Sequence, residues 1–251
     1  MAITFTGFMG PFLSDVISLA GVIPAGSQVV IAFTVNHPDA PLPLTPIDSK
    51  GNVYTVLASA VGTGALTFDV ATAIVIGNIT TQLIAGDQID LQYGGVASFM
   101  VIGAHIFTGL KTTAESFGSD EDQTVIGTDI PMCSVPLSLS GERLLVGVGM
   151  AWQQLGGGLS FDLLSSPDLG SDLVSIYGVN LFPPLASSFH FAKTAIIAIP
   201  DITVTFEADN PVGFSSCSSL LLVCIIPGTA GGGVDLAEGP GGVLYRTWIR
   251  D

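Results

Sequence analysis

Apolar positions along this chain come in short β-branched runs, separated by clusters of Gly, Pro, Asn, Asp and Ser. That spacing is the signature of strands and turns. Val29-Val30-Ile31-Ala32-Phe33-Thr34-Val35 predicts a strand, ended by Asn36-His37-Pro38-Asp39. Asp48-Ser49-Lys50-Gly51-Asn52 predicts a tight turn into a strand at Val53-Tyr54-Thr55-Val56-Leu57. Ala71 to Ile76 predicts a further strand, Gly86-Asp87 opens an alternating one from Gln88 to Tyr93, and Ser98 to Phe107 closes the first half. No long i, i+3, i+4, i+7 stripe faces a charged side, so helices are not expected. Many short strands between turn signals predict an all-β sandwich or barrel.

Four pairs of segments recur in the same order. Gly26-Ser27-Gln28-Val29-Val30-Ile31-Ala32-Phe33 reads like Gly141-Glu142-Arg143-Leu144-Leu145-Val146-Gly147-Val148. Thr67-Phe68-Asp69-Val70-Ala71 matches Ser188-Phe189-His190-Phe191-Ala192, each followed by an apolar run. Asp87-Gln88-Ile89-Asp90-Leu91 parallels Asp201-Ile202-Thr203-Val204-Thr205-Phe206, and Ile106-Phe107-Thr108-Gly109 parallels Ile225-Ile226-Pro227-Gly228. A conserved order of this kind predicts an internal duplication. The two halves would span about 1–110 and 137–228, joined by an acidic surface excursion at 111–136 that carries Glu115, Asp120, Glu121, Asp122 and Asp129. Each half could be a small sandwich, or both could feed alternate strands to one jelly roll, which is built from two Greek keys. The expectation is a single jelly-roll-like β-sandwich over 1–228 with an extended C-terminal arm, since all-β domains of this length are routinely single.

Hydropathy complicates that picture at first. The mean hydropathy is +0.66, but a spanning helix needs about 20 uninterrupted apolar residues. Ser219 to Ile226 stops at Pro227-Gly228, and Ile17 to Val35 is interrupted by Pro24, Gly26, Ser27 and Gln28. No membrane insertion is expected, and Met1-Ala2-Ile3-Thr4-Phe5-Thr6-Gly7 lacks the basic start of a signal peptide. Charge changes the picture more. Only 11% of residues are charged, with 21 acidic against 6 basic for a net of −15. Nucleic acid and anionic lipid need Lys/Arg clusters, so neither is an expected partner. An exterior with so few charges must be largely apolar, Ser, Thr or Gly, and such patches are usually buried between subunits.

Three stretches carry a family resemblance. They are Gln28-Val29-Val30-Ile31-Ala32-Phe33, then Asp48-Ser49-Lys50-Gly51-Asn52-Val53-Tyr54-Thr55, then Phe107-Thr108-Gly109-Leu110. In that order they resemble β-sandwich modules of phage tail proteins and bacterial surface proteins, over residues 26–228. A Pro-rich loop from Pro38 to Pro46 departs from that pattern. The resemblance implies a role in assembly or surface attachment.

The tail has its own character. Gly228 to Gly233 and Gly239-Pro240-Gly241-Gly242 read as hinges before Val243-Leu244-Tyr245-Arg246-Thr247-Trp248-Ile249-Arg250-Asp251. Leu244, Tyr245, Arg246, Trp248, Ile249 and Arg250 combine the residue types that dominate interface hot spots. They form a candidate subunit-interface arm able to add as a strand to an acidic neighbour. Folding back on its own domain is the competing expectation.

Catalytic chemistry leaves little trace. No Gly-x-Ser-x-Gly occurs, and His37, His105 and His190 are scattered. The strand histidines His105 and His190 are expected to be satisfied or solvent-facing. Gly156-Gly157-Gly158 has no Gly-Lys-Ser/Thr after it, so it is not a phosphate loop. Cys133, Cys217 and Cys224 have no zinc spacing and read as small buried hydrophobes. The turn at Asp48–Asn52 and the Asp120-Glu121-Asp122 cluster offer calcium-type oxygens, but turn formation explains the first. No catalytic residue, metal or cofactor is expected, and no enzyme.

The expectation is a structural virion protein of a tailed phage or related virus, a tail, baseplate or capsid-surface subunit assembled in the host cytoplasm. It would act through contacts with itself, as a trimer or higher ring, and with other virion proteins. The alternative is a carbohydrate-binding jelly roll for cell-surface attachment, with Tyr54, Trp152 and Tyr177 as candidate glycan-contact aromatics. A glycoside hydrolase, which needs two carboxylates across a cleft, is a third reading.

Overall fold

The computed structural model describes residues 2–37, 44–62, 69–94, 99–124, 132–137, 140–153, 175–180, 186–197, 202–207 and 216–228. All regular structure among them is β, with no helix. The first half carries β1 (Thr4–Phe12), β2 (Val16–Ser18), β3 (Gln28–His37), β4 (Ile47–Asp48), β5 (Val53–Gly62), β6 (Asp69–Asn78), β7 (Gln88–Asp90) and β8 (Phe99–Thr108). The second carries β9 (Leu110–Thr124), β10 (Met132–Leu137), β11 (Gly141–Gln153), β12 (Ser175–Asn180), β13 (Ala186–Ile197), β14 (Ile202–Glu207) and β15 (Ser216–Pro227).

Two five-stranded antiparallel sheets dominate, ordered β1-β8-β3-β6-β5 and β12-β13-β11-β15-β9. Two small sheets, β2-β7-β4 and β10-β14, accompany them. Neither large sheet mixes strands from the two halves. Their orders also correspond: β1, β8, β3, β6, β5 take the places of β9, β15, β11, β13, β12, and the pair β2-β7 takes that of β10-β14. Strand β4 has no counterpart among the described residues.

Burial explains the sequence pattern. Alternate residues of a strand face opposite sides, and in the first large sheet both sides are covered. Val29, Ile31, Phe33 and Val35 of β3 join Ile17, Ile23, Leu83 and Ile89 in a core under the β2-β7-β4 sheet. Val30 and Ala32 instead join Ile74, Phe107, Val146, Leu221 and Val223 in a core between the two large sheets. A strand buried on both faces reads as a continuous apolar run rather than an alternating one. The two sheets are also tied by a hydrogen bond between the buried hydroxyls of Thr72 on β6 and Ser219 on β15, at 2.9 Å. Beyond the second large sheet lies a fourth layer. Cys133, Val135 and Leu137 of β10 are buried, as are Leu145, Leu220, Leu222 and Cys224. Strand β10 crosses β9 so closely that a Cβ on Gly118 would overlap the Ser134 carbonyl oxygen.

Two departures from the sequence expectation have clear causes. The alternating segment from Gln88 to Tyr93 is strand only to Asp90. There the Asp90 carboxylate accepts the Gln92 N–H at 2.8 Å, and Gln92 turns left-handed at φ 51°. The acidic connection is the other. Most of it is strand, with β9 at the edge of the second large sheet and β10 across its outer face. An edge strand tolerates charge because half its length meets water.

A short internal echo escaped the sequence reading. Ile23-Pro24-Ala25-Gly26-Ser27-Gln28 and Leu83-Ile84-Ala85-Gly86-Asp87-Gln88 have the same form. The two segments pair with each other through reciprocal Ile23–Leu83 backbone hydrogen bonds of 2.9 and 3.1 Å. Each turns at a glycine in the left-handed region, Gly26 at φ 88° and Gly86 at φ 91°, where a Cβ is disfavoured.

Candidate functional site

Along one side of the molecule the edge strand of each large sheet runs beside that of the other, β5 next to β9. Between them lies an open groove of about 500 Å³. Thr55, Val56 and Leu57 form one wall, residues Thr112–Phe117 the other, and Pro136 closes an end. The lining is apolar and hydroxylic. Phe117 is 56% exposed and Val53, at the start of β5, is 66% exposed. Exposed aromatic and β-branched side chains thus lie along two adjacent edges.

Beneath β9 lies a buried ion pair. Arg143 of β11 donates from Nε to Glu115 Oε2 at 2.9 Å and from Nη2 to Oε1 at 3.2 Å. Its Nη1 donates to the Glu142 carbonyl at 3.3 Å, and the two side chains are only 3% and 8% exposed. The fork geometry suits a carboxylate, and a register shift in β9 beside Cys224 and Ile225 brings Glu115 within reach. Cys224 donates its thiol to Glu115 at 3.4 Å. Burial, then the Glu115 charge, pushes that thiol well above its ordinary range. Burial, with Asp120 nearby, pushes Cys133 up to about 12. Both thiols are free and buried, and neither offers the thiolate that nucleophilic or metal chemistry needs.

The turn before β5 is equally committed. Asp48 Oδ1 accepts the backbone N–H groups of Lys50 (2.8 Å) and Asn52 (3.2 Å), and Oδ2 accepts Asn52 Nδ2 (2.8 Å) and Tyr54 Oη (2.7 Å). Burial would raise the Asp48 carboxyl, but these donors outweigh it and hold it below the usual range. Asn52 Oδ1 then accepts the N–H groups of Thr80 (2.9 Å) and Thr81 (2.8 Å), and Nδ2 donates to the Thr81 carbonyl at 3.0 Å. Four donors converge on the Asp48 carboxylate, which is the wrong polarity for a calcium ligand set. Among the described residues no group of three His, Cys, Asp or Glu side chains is placed to hold a metal ion.

Tyr54 is half-buried. Burial, then hydrogen bonding to Asp48, raises its phenol far above the ordinary value. Its ring lies over the cross-strand Gly77, where a Cβ would collide with it. That ring shields a glycine backbone. The other two candidate aromatics lie on the second large sheet. Trp152 is near the end of β11, opposite Ala186 and Cys217, and Tyr177 is on β12, opposite His190. Strands β12 and β9 are opposite edges of that sheet, so Tyr177 and Tyr54 do not share a surface. The side chains of Trp152 and Tyr177 lie outside the described residues, as does the whole arm with Leu244, Tyr245, Arg246, Trp248, Ile249 and Arg250.

His105 corrects an expectation. It is fully buried, and among the described residues neither ring nitrogen has a hydrogen-bond partner. Its ring meets Phe8 at a centroid distance of 5.0 Å. Burial lowers its pKa from 6.5 to about 4, so it is a neutral core side chain, neither satisfied nor solvent-facing.

No helix is long and apolar enough to cross a membrane among the described residues. No family model, curated protein or solved structure matches the chain. The groove and the ion pair were not singled out from sequence. The only signal for the pair was a Glu-Arg dipeptide opening the apolar run at Leu144.

Proposed function

We propose that the chain is a structural virion protein of a tailed phage or related virus, a tail, baseplate or capsid-surface subunit that works through contacts with its own kind and with other virion proteins. In this reading each half is a jelly-roll-like sandwich, and the two arose by internal duplication. The observation that carries it is the strand order. A jelly roll interleaves eight strands into two sheets by Greek-key connections. The orders β1-β8-β3-β6 and β2-β7-β4 follow that interleaving, and β9-β15-β11-β13 with β10-β14 repeat it. The four ordered sequence matches fall on the strand pairs β3/β11, β6/β13, β7/β14 and β8/β15, which supports duplication over chance.

The assembly role is supported by surface chemistry. Charged residues make up 11% of the chain, and the paired edges β5 and β9 carry exposed Val53 and Phe117. A protein that acts by packing needs such area and no reactive centre. Negative-stain electron microscopy of the purified full chain tests the reading. Regular rings or short stacks are the expected images, and uniformly dispersed single particles of one chain contradict it.

A further inference from the structure

We propose that the groove between β5 and β9 is the receptor for the C-terminal arm, Val243 to Ile249, of a neighbouring subunit, which enters it as an added strand on the β5 edge. This inference rests on the self-assembly reading above and names the contact that performs it.

The receptor argument starts from the edges. A strand edge offers a row of unpaired N–H and C=O groups, and proteins normally blunt it with charge, proline or cover. Strand β9 carries Lys111, Glu115, Asp120, Glu121 and Asp122. Strand β5, ten residues long, carries no charged residue at all. Among the described residues it is the terminal strand of its sheet. The groove beside it has Thr, Val, Leu and Phe walls, the surface that an extended peptide with alternating apolar side chains fits.

The occupant argument starts from where the described body ends. Gly228 donates its N–H to the Gly109 carbonyl at 2.7 Å, immediately before β9, so the chain leaves beside the strand that walls the groove. Residues 229–242 follow, rich in Gly, and extended they span up to about 46 Å. Val243-Leu244-Tyr245-Arg246-Thr247-Trp248-Ile249 is β-branched and aromatic, with strand propensity. Charge favours exchange between subunits. Chains with a net charge of −15 repel one another, while Arg246 and Arg250 are two of only 6 basic residues. An arm crossing to the next body, whose β9 carries Asp120, Glu121 and Asp122 beyond the groove, offsets that repulsion at the point of contact.

Cysteine cross-linking in full-length chains tests this. Thr113→Cys on the groove wall and Thr247→Cys on the arm are made separately, mixed during assembly and oxidised. The expected product is a disulfide-linked dimer that appears in the mixture and in neither variant alone. A link that forms only within a chain carrying both substitutions overturns the proposal in favour of an arm folded on its own groove, and absence of any link overturns it outright. A second full-length variant, Leu244→Asp with Trp248→Asp, leaves the body untouched. Its mass by light scattering is expected to drop at least twofold. An unchanged oligomer would overturn the arm as the contact while leaving self-assembly intact, whereas a wild-type chain that is itself monomeric removes both.

Discussion

Replacing His105 with Leu should make the protein more resistant to acid, by an amount that follows from burial. In the folded chain the imidazole is neutral, with its pKa lowered by burial from 6.5 to about 4. The unfolded chain takes up the proton near 6.5. Stability is therefore fully present above pH 6.5, falls as pH drops through the window between 6.5 and 4, and levels below it. Integrated between pH 7.5 and pH 4.5, a shift of that size removes about 2–3 kcal/mol. The wild-type profile contains other terms, because the hydrogen-bonded Asp48 carboxylate also loses its partners' benefit in acid. The difference between wild type and variant isolates the histidine. At neutral pH, Leu removes two buried nitrogens that have no partner among the described residues, so the variant should be equal to wild type or more stable. Urea unfolding at both pH values measures the gap. It should widen in the variant's favour by about 2–3 kcal/mol on acidification. A gap that stays constant would mean that His105 is already paired or protonated in the native state, and the burial argument would fail.

Three further substitutions test the packing. Glu115→Gln strands the Arg143 guanidinium, which is 3% exposed, and should cost about 3–5 kcal/mol in chemical denaturation, most of it recovered by Arg143→Met with Glu115→Leu. Asn52→Ala deletes the side chain that bonds the N–H groups of Thr80 and Thr81; with those donors left short of partners the unfolding free energy should fall by about 2–4 kcal/mol, and a loss under about 0.5 kcal/mol would show the turn to be peripheral. Gly118→Ala forces β10 away from β9 at the Ser134 carbonyl, so a cost of about 1–3 kcal/mol and new exposure of Cys133 to thiol reagents are expected.

The fold class was legible because burial on both faces gives β3, β6, β8 and β15 long apolar runs that turn residues interrupt. The turn at Asp48–Asn52 was legible for the same local reason, since Asp, Gly and Asn each serve a specific bond or dihedral there. What was hidden depends on distance in the chain. Glu115 and Arg143 meet across three strands, and a charge in an edge strand looks like a charge in a loop. The groove exists only because two edges from different halves lie side by side. Tyr54 looked like an exposed aromatic, yet Gly77 is its cross-strand neighbour and draws the ring onto the sheet. Strand alternation could not reveal the end of β7 either, because a side-chain bond from Asp90 and one left-handed residue terminate it.

The central claim is that this sparsely charged exterior is subunit interface. Size-exclusion chromatography of the full chain with in-line light scattering, over a dilution series, measures it most directly. The predicted result is a closed oligomer whose mass is an integer multiple of 25.7 kDa, a trimer or larger, persisting at micromolar concentration. A single 25.7 kDa species that stays monodisperse across the series would contradict the account.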